Sequence, residues 1–181
     1  MNNIQFSLKS CFLIVGLIVT FHTAYAQDKN PIILNPGFDI EGNKGFRDHW
    51  DNKELGGMLQ VTTGPIHSGV RSAKLPPDGS RIAYQVIKVE KNKTYKLSFY
   101  YTMKPTPEGT MTVAILAGHL TNPAAISAST INSVVLHDKT KANNYVKETI
   151  TFNSGNNAEV AILISNVGAE SRIDSITIDN I

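Results

Sequence analysis

Two acidic side chains near opposite ends of the chain are candidate metal ligands. Asp39 ends the motif Asn35-Pro36-Gly37-Phe38-Asp39, and Asp174 lies in the motif Ile173-Asp174-Ser175-Ile176-Thr177-Ile178. Hard cations such as calcium take about six to eight oxygen ligands, which include carboxylates and backbone carbonyls. The residues between the motifs resemble short strands and turns, and a β-sandwich made from them closes by bringing its first and last segments together. We therefore expect the two carboxylates to meet.

A second group of side chains has the chemistry that sugar binding needs. Sugar rings present apolar C–H faces that stack on aromatic rings, and planar polar side chains orient the sugar hydroxyls. The candidates are Trp50, Tyr84, Tyr100, Tyr145, Arg81, Gln85 and Asn144. Trp50 suits the core equally well. Tyr100 is the best placed, because the period of two in its strand puts it on the face opposite Tyr95, Leu97 and Phe99.

Motifs for catalysis are missing from the sequence after residue 26. There is no Gly-x-Ser-x-Gly nucleophile motif, no Cys and no His-x-x-x-His spacing among the four histidines, which are His49, His67, His119 and His137. Two catalytic arrangements stay open. His119 and His137 with a Tyr are candidates for an acid/base site of the polysaccharide-lyase kind, and carboxylate pairs for glycoside hydrolysis need only be close in space.

Short strands separated by turns must position these side chains. The apolar patterns predict strands at residues 31–34, 58–63, 81–89, 94–103, 110–117, 131–136, 145–153, 158–165 and 172–178, with one more after the turn at residues 67–69. Residues 41–48 and 118–130 are predicted to be loops, and no segment after residue 26 has sustained helical spacing. Regularly spaced short strands predict an all-β sandwich.

Three motifs resemble those of the galactose-binding-like jelly rolls, and among them the carbohydrate-binding modules of families four, nine and twenty-two. They are the two acidic motifs and the segment His67-Ser68-Gly69-Val70-Arg71-Ser72-Ala73-Lys74-Leu75. The resemblance covers roughly residues 32–178. It implies a single jelly-roll β-sandwich of two antiparallel sheets.

The resemblance also implies a structural calcium. Asp39 and Asp174 would be its side-chain ligands, with backbone carbonyls from residues 67–71. Asp39 stands where these modules more often have Glu, so Glu41 is a candidate replacement. The alternative is that Asp39 caps a turn and Asp174 pairs with a basic residue such as Arg71.

The first 26 residues have the pattern of a cleaved signal peptide. An apolar run from Cys11 to Phe21 follows Lys9, and Ala24-Tyr25-Ala26 precedes Gln27. This run is shorter than the about 20 residues that a membrane-spanning helix needs. We expect residues 27–181 to form one domain that is exported to the periplasm, the cell surface or the medium, and that contains no disulfide.

The functional hypothesis is non-catalytic binding of a polysaccharide or oligosaccharide by an exported, monomeric module. The formal net charge of the whole chain is only +2, so neither a nucleic acid nor a membrane surface is indicated as a partner. One alternative is a structural or adhesive domain that contacts another protein through residues 118–130. The other is a small polysaccharide-degrading enzyme that uses His119 or His137.

Overall fold

A computed structural model describes residues 30–104, 106, 108–137 and 143–181. The predicted signal peptide lies outside these residues. The strands are β1 (Asn43–Phe46), β2 (Gly57–Met58), β3 (Gln60–Thr62), β4 (Ser72–Leu75), β5 (Arg81–Lys88), β6 (Thr94–Met103), β7 (Thr110–Ala117), β8 (Thr130–His137), β9 (Val146–Asn153), β10 (Glu159–Val167) and β11 (Ser171–Asn180).

Ten of these strands form two five-stranded sheets. The first sheet has the order β2-β5-β10-β7-β8, and the second has the order β3-β4-β11-β6-β9. Neighbouring strands are antiparallel, apart from β2, which pairs with β5 in parallel. The chain crosses repeatedly between the two sheets, with only β3–β4 and β7–β8, among the described strands, as consecutive strands of one sheet, so the predicted β-sandwich fold class is confirmed.

The apolar core lies between the sheets. In β6, Tyr95, Leu97, Phe99, Tyr101 and Met103 all face it and are at most 1% exposed, which confirms the predicted core face of this strand. Each large side chain buried in this way contributes about 1.5–3 kcal/mol. The residues between them point to the outer face, by which we mean the face of a sheet that is directed away from the other sheet.

A second apolar cluster covers part of the outer face of the first sheet. Its buried members are Ile82, Tyr84, Ala114, Leu116, Ala161 and Leu163. Leu55, Leu120 and Ile126 pack on top of them. Two of these covering residues belong to segment 118–130, so that segment is held against the sheet by apolar burial.

Helical structure within residues 118–130 corrects the prediction of an irregular loop there. Pro123–Ala125 form a 3₁₀ turn, and Ile126–Ser129 form a one-turn helix, α1. The Asn122 side chain accepts a hydrogen bond from the N–H of Ala124 at 2.9 Å and thereby caps the turn. Such a short helix carries no periodic pattern, which is why the sequence did not reveal it. No helix among the described residues is long and apolar enough to span a membrane.

The predicted first strand, residues 31–34, is wrong. Leu34 donates its N–H to the Gln85 side chain at 2.7 Å, and its carbonyl accepts from the same side chain at 2.9 Å. These bonds replace a strand ladder, and Pro31 has no N–H to give to one.

Two further predictions near the amino-terminal end need correction. Residues 41–48 contain the short strand β1 in addition to irregular backbone. The predicted strand 58–63 is divided at Leu59, which is fully buried, into β2 in the first sheet and β3 in the second. The chain therefore crosses between the sheets at this point.

Candidate functional site

Asp39 and Asp174 converge at Gly37. A Cβ added to Gly37 would lie 3.4 Å from Asp39 Oδ2 and 3.6 Å from Asp174 Oδ1. The two carboxylates, 135 residues apart in the sequence, therefore border the same small space. Neither forms an ion pair with a described residue.

Backbone amides hold the Asp174 carboxylate. Asp174 is fully buried, and its Oδ2 accepts hydrogen bonds from the N–H groups of His67 at 2.9 Å and Ser68 at 3.1 Å. Bonds from N–H groups to an ionised oxygen are among the stronger ones in proteins. The alternative of a pair with Arg71 is wrong, because the Arg71 guanidinium lies 3.4 Å from the centroid of the Phe46 ring.

The Asp39 carboxylate packs against the same turn, residues 67–70, that binds Asp174. Its Oδ1 accepts a hydrogen bond from the N–H of Val70 at 3.0 Å. Gly69 has φ +65°, and a Cβ there would overlap Asp39 Oδ2 and lie 2.7 Å from Asp39 Cγ. The turn at residues 67–70 thus needs glycine both for its backbone conformation and for the approach of the carboxylate.

The donor set fits a hard cation only in part. Two carboxylates border one space, but no group of three or more His, Cys, Asp or Glu side chains within the described ranges is close enough to hold a metal ion. Glu41 is exposed and does not complete such a group. A calcium ion at this position would take its remaining ligands from backbone carbonyls and water.

Three aromatic rings gather on the outer face of the second sheet, above Asp174. The His67 ring is stacked on Tyr100 with centroids 3.5 Å apart and an interplanar angle of 16°. Tyr145 lies 5.8 Å from His67 at 58°. Cross-strand pairing places Asp174 on one side of Tyr100 and Lys147 on the other. We call His67, Tyr100 and Tyr145 the aromatic group.

Hydrogen bonds hold two rings of this group, His67 and Tyr145. Ser175, at φ +54° in an irregularity of β11, lies with its Oγ 3.1 Å from His67 Nδ1 and 2.7 Å from Ser68 Oγ. The Tyr145 hydroxyl donates to the Pro65 carbonyl at 3.1 Å. Burial raises the pKa of Tyr145 to about 12, and the Asp174 charge adds to the effect.

The turn at residues 67–70 links the carboxylates to the aromatic group. The backbone of His67 is bonded to Asp174, and its side chain covers Tyr100. A change in either carboxylate therefore moves the same turn that orients the His67 ring.

Trp50, Tyr84 and Gln85 are buried, which removes them from the candidate binding surface. Trp50 is fully buried against Phe38, and its Nε1 donates to the Asn35 carbonyl at 2.9 Å. Tyr84 is 2% exposed, and its hydroxyl accepts the N–H of Leu120 at 2.9 Å. Gln85 is 4% exposed, and its side-chain amide is hydrogen-bonded to the backbone N–H and carbonyl of Leu34. None of the three has a face left for a sugar.

The remaining candidates differ in their surroundings. Arg81 is half-buried and donates from Nη1 to the Met58 carbonyl at 2.9 Å, which ties β5 to β2. Asn144 is exposed and directly precedes Tyr145. Of the seven sugar-binding candidates, Tyr100 and Tyr145 are the two that lie beside one common ring, that of His67.

The two histidines of the enzyme alternative lie at opposite ends of β7. His137 is opposite Thr110 at the start of that strand, whereas His119 follows its last residue, Ala117. Seven steps of about 3.4 Å separate these ends by about 24 Å. The prediction of one acid/base site that contains both histidines is therefore wrong. His119 Nδ1 lies 3.4 Å from the hydroxyl of the buried Tyr84.

Sequence reasoning missed three side chains of this candidate face, which are His67, Ser175 and Lys147. The His67 motif was noticed for its carbonyls, but the stacking of its ring was not foreseen. Ser175 and Lys147 were not singled out. Only the register of β6 with β11 and β9 places them near Tyr100, and a single sequence gives no signal for strand register across more than 40 residues.

Solved structures of similar fold include carbohydrate-binding modules. One is a family 61 module in complex with β-1,4-galactotriose, with 14% identity, TM-score 0.57, and coverage of 82% of this chain and 97% of that one. Another is a family 22 xylan-binding domain from Paenibacillus barcinonensis, with 13% identity, TM-score 0.54, and coverage of 84% and 95%. A cyclase from Fischerella sp. TAU has 17% identity, TM-score 0.57, and coverage of 84% and 96%.

These similarities establish the class of fold. The chain has the jelly-roll β-sandwich fold that these carbohydrate-binding modules also have. No protein-family model matches the sequence, and no curated protein matches it in a sequence comparison. The presence of a cyclase among the neighbours shows that this fold also supports catalysis, so the function must be argued from the site.

Proposed function

We propose that this protein binds a polysaccharide or oligosaccharide, without altering it, on the outer face of its second sheet. The observation that carries the proposal is the aromatic group. Hydrogen bonds hold His67 and Tyr145, and the stacked His67 ring holds Tyr100. The exposed Lys147 ammonium lies 6.0 Å from the Tyr100 centroid and can bind a hydroxyl. Rings that are already ordered lose little conformational freedom when a ligand stacks on them.

The outer face of the first sheet is less suited to a sugar. Its central part is covered by segment 118–130 and Leu55. Tyr84 is the only Phe, Tyr or Trp on this face in its four long, fully described strands, and it is buried. The uncovered part presents the exposed valines Val135 and Val167.

The protein-contact alternative receives no support from segment 118–130. Its large apolar side chains Leu120 and Ile126 pack on the sheet, and none of the exposed large hydrophobic residues falls in this segment. The enzyme alternative is weakened because His119 and His137 lie at opposite ends of β7, about 24 Å apart.

We also propose that the protein binds a structural calcium ion and that it is exported. A calcium ion between Asp39 and Asp174 would neutralise two carboxylates that have no cationic partner among the described residues, and it would hold the turn that carries His67. The amino-terminal pattern supports export, and we propose that the mature module acts as a monomer.

Affinity electrophoresis and a glycan array on residues 27–181 test the binding proposal, with the polysaccharides examined for new chain ends. We expect retardation by at least one polymer without cleavage. His67→Ala and Tyr100→Ala should abolish the retardation, while Val135→Lys, on the outer face of the first sheet, should leave it intact. Loss with Val135→Lys alone would move the site to the other face, and released oligosaccharides would make the protein an enzyme.

The calcium proposal is tested separately by thermal unfolding. Added calcium should raise the midpoint of the wild type, and a chelator should reverse the increase. Asp174→Asn should remove the response to calcium. An unchanged midpoint in the wild type at millimolar calcium would contradict the proposal.

A further inference from the structure

The outer face of the second sheet carries a cluster of three cations around one carboxylate. The Glu170 carboxylate forms three ion pairs. Its Oε2 lies 3.1 Å from the Nζ of Lys74 and 3.1 Å from the Nζ of Lys104, and its Oε1 lies 2.9 Å from Arg172 Nη2. Burial disfavours the charge on Glu170, but hydrogen bonds from Lys74 and Lys104 and the charges of Lys74 and Arg172 outweigh it and lower the pKa of this carboxyl. Glu170 is therefore ionised at neutral pH. The cluster keeps an excess of two positive charges.

The cluster is adjacent to the aromatic group. Arg172 is paired with Thr102, which stands two residues after Tyr100 on the same face of β6. Two steps of a strand correspond to about 7 Å. When one sugar ring of a ligand stacks on the aromatic group, the next sugar unit of that ligand therefore reaches the cluster.

Lys147 adds a cation on the other side of the aromatic group. It is paired with Tyr100 across β6 and β9, and its Nζ lies 6.0 Å from the Tyr100 ring centroid. Lys147 is exposed and forms no ion pair with a described residue. Asp174 is the opposing charge nearby, but it is buried beneath the turn and satisfied by amides, as described above.

Donors in this region have capacity left for a ligand. Each Lys ammonium has three N–H groups, and the side chain of Lys104 is 61% exposed. Arg172 contacts Glu170 through Nη2, and its side chain is 12% exposed, so a ligand can reach the accessible part of the guanidinium but not its buried Nε. Unsaturated donors beside an ordered aromatic surface favour a ligand with anionic groups.

We propose that the ligand is an acidic glycan, in which a sugar ring stacks on the aromatic group and carboxylate or sulfate groups on either side of it are bound by Lys104 and Arg172 on the β11 side and by Lys147 on the β9 side. This inference rests on the proposed carbohydrate binding and narrows it to one chemical class. Uronate and sulfate groups share the required charge and acceptor oxygens.

The test compares a polyuronate, a sulfated polysaccharide and a neutral xylan or β-glucan with the same protein. Lys104→Gln and Lys147→Gln should each weaken binding of the acidic polymer about threefold to fivefold at low salt, and sodium chloride should weaken it further. Lys88→Gln, which removes the same charge from the first sheet, is the matched control and should have no effect. Circular dichroism and urea unfolding verify that each variant is folded.

The outcomes separate this inference from the proposed function. Binding of a polyuronate but not the sulfated polymer, or the reverse, supports the inference and identifies the anionic group. Binding of neutral polymers alone, abolished by His67→Ala but unaffected by Lys104→Gln and Lys147→Gln, overturns it and leaves carbohydrate binding standing. Equal weakening by Lys88→Gln also overturns it, because it reveals a non-specific charge effect. Binding of no polymer overturns both.

Discussion

Replacing Gly69 by Ala tests whether the Asp39 carboxylate is packed against the turn that carries His67. Gly69 has φ +65°, and the added Cβ would overlap Asp39 Oδ2. An alanine in the left-handed region costs about 1–2 kcal/mol. Displacing the carboxylate also breaks its bond with the N–H of Val70, and a hydrogen bond to a charged group is worth about 1.5–3 kcal/mol. We expect Gly69→Ala to destabilise the fold by about 3–5 kcal/mol.

Gly118 provides a matched control for the backbone contribution. Its φ is +71°, and a Cβ there would meet nothing within 4 Å. Gly118→Ala should therefore cost only the backbone part, about 1–2 kcal/mol. The difference between the two variants isolates the clash with Asp39.

Urea unfolding monitored by Trp50 fluorescence measures both variants. Trp50 is the only tryptophan and is fully buried, so its emission reports loss of the core. With a denaturant slope of about 2 kcal/mol per molar, the Gly69→Ala midpoint should lie about 1 M below that of Gly118→Ala. Equal midpoints would refute the reasoning.

A double-mutant cycle then identifies the opposing group. In an Asp39→Ala background no carboxylate meets the new Cβ, so Gly69→Ala should cost no more than Gly118→Ala. A cost that stays about 3–5 kcal/mol in this background would show that another group resists the substitution.

Three further predictions follow from single side chains. The pKa of Glu170 is lowered in the folded protein. The ionised carboxyl therefore stabilises the fold fully above its ordinary pKa of 4.5, and this stabilisation is lost as the pH falls below that value. In Glu170→Gln the free energy of unfolding, measured by urea unfolding, should fall less on acidification than in the wild type. Burial raises the pKa of Tyr145 to about 12, so stability should fall as the pH rises from about 10 towards 12; Tyr145→Phe should make this fall smaller, as measured by urea unfolding at a series of pH values. Trp50→Phe removes one of the two N–H donors of the Asn35 carbonyl, which keeps the N–H of Phe38 at 3.2 Å, so the lost hydrogen bond should cost about 0.5–1.5 kcal/mol, measured by urea unfolding followed by circular dichroism; an unchanged free energy of unfolding would contradict this.

Local patterns were sufficient to predict most of the strands. The long strands β6 and β7 were predicted with their observed limits, because alternation along a single strand determines which side chains face the core. The first segment failed for a non-local reason. Leu34 is bonded to a side chain of β5, and nothing in residues 31–34 indicates that partner.

The convergence of Asp39 and Asp174 was expected from the motifs at the two ends of the chain. The turn at residues 67–71 was also expected beside them, but with its carbonyls as metal ligands, whereas its N–H groups bind the two carboxylates. Residue type alone also did not separate buried from exposed aromatic candidates. Trp50 and Tyr84 are in apolar clusters, while Tyr100 is on the face that stays accessible.

The sequence by itself determined the all-β sandwich, because the period of side chains along each strand and the turn residues between strands are local properties. Only the tertiary structure decided which rings and charges share a surface. The His67–Tyr100 stack and the cations around Glu170 depend on the register between β4, β11, β6 and β9. A shift of one residue in any of these strands would turn its side chains to the other face, so the site exists only once the strands are paired.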